Sequence, residues 1–135
     1  MLRYLLPAAA LTLAVAATAS SSERAANRTL ALQGKALAEP VSCILTRQID
    51  DINAVTPQVV LFHLKNGRTY RNDLPRACPQ ITRSGSSFAY RSYGRLCAVD
   101  VMQVSEPASG FDYGGCQLGK FTRYELPAGL NPRSF

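Results

Sequence analysis

The chain contains four cysteines, and their number and spacing restrict the folds that are open to it. They are Cys43, Cys78, Cys97 and Cys116, with 34, 18 and 18 residues between successive members. A structural metal site favours close ligand pairs supported by histidine, whereas this chain has no C-x-x-C pair and a single histidine, His63. Convergence of all four thiolates on one metal is the alternative. The pattern predicts two disulfides and no metal, in an oxidising compartment.

The N-terminal segment indicates how the chain reaches such a compartment. Arg3 precedes an uncharged apolar run over residues 5–17, and Ala17-Thr18-Ala19 supplies the small-x-small pattern that signal peptidase accepts. The run has 13 residues, fewer than the roughly 20 that a membrane-spanning helix needs. We therefore expect a signal peptide at residues 1–19, with Ala14-Val15-Ala16 as an alternative cleavage site. The product would be exported to the periplasm or beyond the cell, with no transmembrane segment.

Four cysteines allow three pairings, and the sequence does not choose strictly among them. We favour Cys78 with Cys97 and Cys43 with Cys116. The first pair would close a short local loop and the second would tie the ends of the domain. In the chain-entropy account such loops contribute roughly 3 and 4 kcal/mol of stability.

Beyond the leader, the chain has room for one domain. Residues 20–40 predict a partly ordered lead-in with a short helix, residues 41–126 a β domain stapled by disulfides, and residues 127–135 a disordered tail. Within the domain, short apolar runs alternate with turn residues and no crossover helix is evident. This pattern predicts a mainly β fold, with a small antiparallel sheet of five or six strands curled into a partial barrel.

The clearest local prediction is a β-hairpin. The apolar run over residues 59–64 is followed by Lys65-Asn66-Gly67-Arg68, and an Asn-Gly pair is a strong signal for a tight turn. Residues 68–71 would return beside this strand, and residues 49–55 would pair on its other side. Further strands are expected at 87–92 and 96–104. We expect loops at 72–79 and 106–115, and a last strand or short helix at 117–126.

Several short motifs carry a resemblance to a known family. They are Cys43-Ile44, Gly67-x-x-Tyr70-x-Asn72-x-Leu74-x-x-x-Cys78-Pro79, Leu96-Cys97-x-x-Asp100 and Cys116-x-Leu118-Gly119. Over about residues 43–126 the chain resembles a family of short exported bacterial proteins known only as a domain of unknown function. The resemblance implies export, single-domain size and a four-cysteine frame. It implies no catalytic residues.

The charge pattern indicates where a ligand would bind. The net charge is +6, and basic residues outnumber acidic ones most clearly between residues 65 and 95. Tyrosine and arginine alternate there, a mixture that combines ring stacking with anion pairing. The candidate binding residues are Arg68, Tyr70, Arg71, Tyr90, Arg91, Tyr93 and Arg95. We expect an anionic envelope glycan, a lipid headgroup or a protein as partner, and no nucleic acid because the chain is exported. The plainer interpretation is that the arginines lie on a solvated strand face without a ligand and that the tyrosines belong to the core.

Evidence for catalysis is weak. The chain has no G-x-S-x-G, Walker or H-E-x-x-H motif, so we predict no catalytic residues and no cofactor. His63 lies on a predicted strand, where a structural role is the usual one for a single histidine. Asp50 and Asp51 would point to opposite faces of their strand. A small hydrolase using one of them with Asp100 or His63 is the alternative, and an inhibitor of an envelope hydrolase is a further one.

Overall fold

The computed structural model describes residues 14–90, 94–132 and 134–135, and of residues 14–20 only the backbone. Most of the predicted signal peptide, residues 1–13, lies outside the described residues. The elements in chain order are α1 (Ala14–Ala31), β1 (Lys35–Ala36), β2 (Cys43–Leu45), β3 (Ile49–Thr56), β4 (Val59–Leu64), β5 (Thr69–Asp73), β6 (Ser87–Tyr90), β7 (Arg95–Cys97), β8 (Val101–Glu106), β9 (Phe111–Gln117) and β10 (Phe121–Glu125). Helix α1 runs from inside the predicted leader to the middle of the predicted lead-in.

The described strands form three antiparallel sheets. The largest has the order β1-β10-β5-β4-β3, the second joins β6, β8 and β9, and the third pairs β2 with β7. The prediction of a mainly β, antiparallel, disulfide-bonded fold is confirmed. The partial barrel is not, because the strands divide among three sheets and the five-stranded sheet ends at β1 and β3 without closing.

The predicted hairpin is confirmed and forms the centre of the large sheet. β4 pairs with β5 on one side and with β3 on the other, and all six residues of β4 are buried. Side chains alternate across a strand. Val60, Phe62 and Leu64 consequently face one layer of apolar packing, while Val59, Leu61 and His63 face another.

The main core lies between the inner face of the five-stranded sheet and the two smaller sheets. The Phe62 and Phe121 rings meet edge to face in it, with their centroids 5.3 Å apart. Buried residues from the smaller sheets complete it, namely Ile44, Leu96, Met102, Val104 and Cys116. Burial of apolar area between layers is the main force that holds such sheets together.

A smaller cluster covers the outer face of the same sheet. Ala31 at the end of α1 packs against Val59, Leu61 and other residues of that face. The segment after Pro127 was predicted to be a disordered tail. In the structure its residues Leu130 and Phe135 pack against this cluster, and the Pro132 carbonyl accepts a hydrogen bond from the Asn53 side chain at 3.2 Å.

The cysteines pair differently from the favoured prediction. The bonds are Cys43–Cys97 and Cys78–Cys116, so the predicted Cys78–Cys97 and Cys43–Cys116 pairs were wrong. Cys43 and Cys97 lie directly opposite each other in the β2–β7 pair. Because pairing depends on strand register and not on sequence distance, the shortest loop was a poor guide.

Two segments of the second half also differ from the predictions. The strand predicted at 96–104 is broken, because residues 98–100 form a turn in which the Asp100 N–H donates to the Cys97 carbonyl at 3.1 Å. The loop predicted at 106–115 is mostly strand. Its glycines lie at an irregularity in the β8–β9 ladder, where Gly114 has φ +84° and Gly115 lies opposite Gln103. Glycine in a strand often marks such a bulge.

Candidate functional site

Those of the predicted tyrosine and arginine residues that the structure describes do not form one surface. Tyr70 and Arg71 are neighbours on β5 and therefore point to opposite faces of the sheet. Tyr70 and Tyr90 both pack against the main core, and burial raises the pKa of Tyr90 above its ordinary value. Their rings are consequently only partly exposed to a ligand. Arg91 and Tyr93 lie outside the described residues.

Arg71 already has two partners within the chain. Its guanidinium forms a bidentate ion pair with Asp73, with Nη2 2.8 Å from Oδ1. The same group lies over the Tyr124 ring, 5.6 Å from the centroid. The hydrogen bond to Asp73 is the main cause that raises the pKa of Arg71. Arg71 therefore contributes little free positive charge.

Arg68 and Arg95 are both exposed, but they lie in different parts of the fold. Arg68 belongs to the turn between β4 and β5, whereas Arg95 begins β7, opposite Leu45. The described members of this set are thus distributed over several places. Arg68 borders one groove and Tyr90 borders another, both described below.

The hairpin groove lies where the β4–β5 turn meets the end of β10 and the C-terminal segment. Its volume is about 340 Å³, and its described lining residues are Leu37, Gly67, Arg68, Thr69, Arg123, Tyr124, Glu125, Leu126, Pro127, Leu130 and Pro132. The charged residues of this lining are two arginines, Arg68 and Arg123, and one carboxylate, Glu125. Lys35 on β1 is the cross-strand partner of Glu125, which adds another positive charge beside that carboxylate.

Local chemistry fixes the turn that carries Arg68. Gly67 has φ +83°, a conformation that glycine adopts without steric penalty. The Asn66 side chain accepts a hydrogen bond from the Arg68 N–H at 3.0 Å, and the Leu64 N–H donates to the Arg68 carbonyl at 2.8 Å. The backbone of Arg68 is therefore held at a defined position while its side chain is exposed.

Sequence analysis missed Arg123. It lies more than fifty positions from Arg68 in the sequence and reaches the groove because β10 pairs with β5, where Arg123 is opposite Tyr70. No local pattern distinguishes it from other arginines of the chain. Its place in the groove depends entirely on the pairing of distant strands.

His63 is buried in the outer face of the sheet. Its Nδ1 lies 3.0 Å from the Thr69 hydroxyl, and its ring lies nearly parallel to that of Phe135, with centroids 6.4 Å apart. Its Nε2 has no hydrogen-bond partner among the described residues. Burial is the main influence on its pKa and lowers it below the ordinary value of 6.5, while the nearby carboxylates of Asp51 and Asp50 raise it.

Of the acidic residues considered for catalysis, Asp50 and Asp51 lie near His63, whereas Asp100 lies in the turn after β7. Asp51 is the cross-strand partner of His63, but its carboxylate accepts hydrogen bonds from the Ile52 N–H and the Asn53 side chain. Asp100 accepts the Cys97 N–H at 2.7 Å and so closes the turn after β7. A second groove, between β3 and β6, is lined by Ile49, Asp50, Asp51, Ile52, Ser86, Ser87, Phe88 and Tyr90. Neither Asp100 nor His63 is among these residues.

The motifs that carried the family resemblance have structural roles where the structure describes them. Asn72 is fully buried, and its amide exchanges two hydrogen bonds of 2.8 Å with the backbone of Gly119. A Cβ on Gly119 would collide with the Asp73 carbonyl. Leu74, Leu96 and Leu118 belong to the main core.

Comparison with known proteins adds no relative to this description. No protein family, no curated protein and no solved structure matches the chain. Within the described part of the chain, no three metal-binding side chains gather at one place. No helix in that part is both long enough and apolar enough to cross a membrane. The two disulfides are typical of proteins that fold in an oxidising, exported compartment.

Proposed function

We propose that this protein is an exported, non-enzymatic binding module that holds an anionic component of the cell envelope in the hairpin groove. One observation carries the proposal: Arg68 and Arg123, from distant parts of the chain, border the same groove with a single carboxylate among its described lining residues. Guanidinium groups pair readily with carboxylates and phosphates. The predicted leader would direct the protein to the periplasm, which is where such a ligand would be available.

The composition of the groove supports a ligand that carries both an anionic group and an apolar portion. Leu126, Pro127 and Leu130 supply apolar surface on one side, and Leu37 is 46% exposed beside them. Apolar area removed from water adds to affinity, and the arginines add charge pairing that salt weakens. An anionic lipid headgroup and an acidic glycan both provide the charge, but only the lipid provides an adjoining acyl chain.

Under this proposal, ligand binding does not require the tyrosines that were predicted to stack on the ligand. Tyr70 and Tyr90 contribute to the main core, so charge and apolar contact would replace ring stacking at the binding surface. The resemblance to the exported four-cysteine family stays a prediction. It is compatible with a binding role because it implies no catalytic residues.

The test is cosedimentation of the exported protein with vesicles of phosphatidylcholine containing phosphatidylglycerol, at low and high salt. Substitution of both Arg68 and Arg123 by glutamine should weaken binding roughly tenfold or more, since each cation near an anionic surface contributes about 1 kcal/mol. The matched control is Arg76→Gln, because Arg76 is exposed and lies beyond the opposite end of β5 from the hairpin turn.

A second arm replaces the vesicles by a soluble acidic polysaccharide. Binding to both materials identifies the charge as the recognised feature, and binding to vesicles alone identifies the lipid. Equal binding by wild type and the double variant, with both materials, would refute the groove as the site. Retention that high salt does not weaken would refute the anionic ligand.

A further inference from the structure

The last residues of the chain form a strap across the outer face of the large sheet. This C-terminal strap, residues 126–132 and 134–135, contains turns but neither helix nor strand. Two hydrogen bonds of 3.2 Å attach it, from the Asn53 side chain to the Pro132 carbonyl and from the Asn27 side chain to the Ser134 carbonyl. Because no described backbone hydrogen bond joins the strap to a strand, it can lift from the sheet without disrupting the ladders.

The strap takes part in two places at once. Four of its residues line the hairpin groove, namely Leu126, Pro127, Leu130 and Pro132. They form one wall of the proposed binding site. Its residue Phe135 covers His63, with the two rings inclined by 11° and their centroids 6.4 Å apart. Lifting the strap would therefore expose His63 to water and remove a wall of the groove in one movement.

The hydrogen bonding of His63 suits its neutral form only. The residue is 6% exposed, and its Nδ1 lies 3.0 Å from the Thr69 hydroxyl. A hydroxyl can donate or accept, so it satisfies Nδ1 in either neutral tautomer. In the protonated ring both nitrogens are donors, and Nε2 has no partner among the described residues. A buried charged donor without an acceptor costs free energy, and that cost falls once water reaches the ring.

The groups around the imidazole do not remove this cost. Burial lowers the pKa of the ring more than the carboxylates of Asp51 and Asp50 on β3 raise it. Thr69 of β5 and Phe135 of the strap face the ring with neutral side chains, and the amide through which α1 reaches the strap is neutral as well. Arg133 lies outside the described residues. Acidification consequently favours the state in which the ring meets water.

We propose that the C-terminal strap is a proton-released wall of the hairpin groove: protonation of His63 favours the lifted strap, and a ligand in the groove favours the seated strap. The release itself depends only on the strap and His63, whereas its coupling to a ligand rests on the proposed function. Proton and ligand act on the same equilibrium in opposite directions. An exported protein with this device would retain its ligand at neutral pH and release it more readily in acid.

The first measurement follows the strap without a ligand. Thermolysin cuts before leucine and phenylalanine, and its rate of cleavage before Leu130, divided by the rate for a free peptide of residues 126–135 at the same pH, reports the lifted fraction. If the lifted ring has the ordinary pKa of 6.5, this ratio should rise by about 5- to 25-fold between pH 7 and pH 5. Cleavage before the exposed Phe111 is the internal control, because global unfolding would raise both rates.

Two variants separate His63 from the other titrating groups. His63→Phe keeps a ring against Phe135 and loses the proton site, so its cleavage ratio should change by less than about twofold over the same pH range. His63→Gln keeps a hydrogen-bonding partner for Thr69 and should behave in the same way. An unchanged ratio in the wild type, or an equal rise in both variants, would overturn the proposed release.

The second measurement tests the coupling with vesicles of phosphatidylcholine containing phosphatidylglycerol at pH 5. At a lipid concentration about ten times the dissociation constant, cleavage before Leu130 should slow about tenfold, because a ligand that binds only the seated strap reduces the lifted fraction. Cleavage before Phe111 should not change. Vesicles that bind without slowing cleavage before Leu130 would overturn the coupling. Failure to bind at either pH would refute the proposed function and with it the coupling, but not the release, which the first measurement decides.

Discussion

The two faces of the five-stranded sheet are both covered, but by different kinds of structure. The inner face packs against two further sheets, and each of the disulfides ties residues of that side together. The outer face is covered by Ala31 at the end of α1 and by Leu130 and Phe135 of the C-terminal segment. Among the residues that the structure describes, this outer cover contacts the sheet only through noncovalent interactions. The outer face also holds the chain's one histidine.

The inner side and the outer cover therefore contribute differently: the inner side stabilises the fold, and the outer cover opens more readily. Covalent links and dense packing make the inner side the main source of stability. The outer cover contributes fewer buried groups and depends on a few hydrogen bonds, such as those from Asn53 to Pro132 and from Asn27 to Ser134. Regions with few buried apolar contacts open at lower free energy than the global unfolding. The C-terminal segment also lines the hairpin groove, so the weaker face borders the proposed site.

Removing the disulfides should produce the largest effect on this comparison. Each bond closes a loop, with sequence separations of 54 and 38 residues, for which the chain-entropy account gives about 4 kcal/mol. Paired serine substitutions at Cys43 and Cys97, or at Cys78 and Cys116, should lower the free energy of unfolding by about that amount. Urea denaturation measures it. An unchanged midpoint in either variant would show that covalent links do not explain the stability of the inner side.

A matched pair of leucine substitutions should sharpen the comparison directly. Leu118 is fully buried in the main core, whereas Leu130 is half-buried in the outer cluster. Leu118→Ala should lower the free energy of unfolding by about 2 to 5 kcal/mol. Leu130→Ala should lower it by about 1 kcal/mol, in proportion to the smaller area buried. Equal losses, measured by urea denaturation, would contradict the proposed difference between the faces.

The smallest expected effect concerns pH and the outer face. Burial lowers the pKa of His63 below its ordinary 6.5, so the unfolded chain binds a proton there more readily than the folded chain. Stability should therefore fall as the pH drops below about 6.5. The variant His63→Gln should show a weaker dependence between pH 7 and pH 5. The hydrogen-exchange protection factors of residues 126–135, which are corrected for the slower intrinsic exchange at low pH, should fall with acidity in the wild type. Identical pH profiles of stability for both proteins would refute the role of His63.

The parts of the fold that were predicted correctly depend on local chemistry. The Asn66-Gly67 pair dictated the hairpin turn, and the apolar runs around it dictated β3, β4 and the start of β5. An even count of cysteines predicted two disulfides. Each of these signals is contained in a few neighbouring residues, or in a simple count, so it does not require knowledge of the partner strands.

The errors share the opposite property. The turn at residues 98–100 contains no glycine, proline or asparagine, and it is held by carbonyls of Ser42 and Leu118 from elsewhere in the chain. The glycines at 114 and 115 form a strand irregularity that only the register with β8 reveals. The candidate binding residues were grouped by closeness in sequence, whereas the groove joins Arg68 to Arg123 through strand pairing.

Residue order alone was therefore sufficient for the strand-rich class, the central hairpin and the presence of two cross-links, because periodicity, turn chemistry and composition act over short distances. Which cysteines bond, which tyrosines are buried and which arginines share a groove followed from the packing of the sheets. Those properties depend on strand register between distant segments, and a shift of one position would move every side chain to the other face.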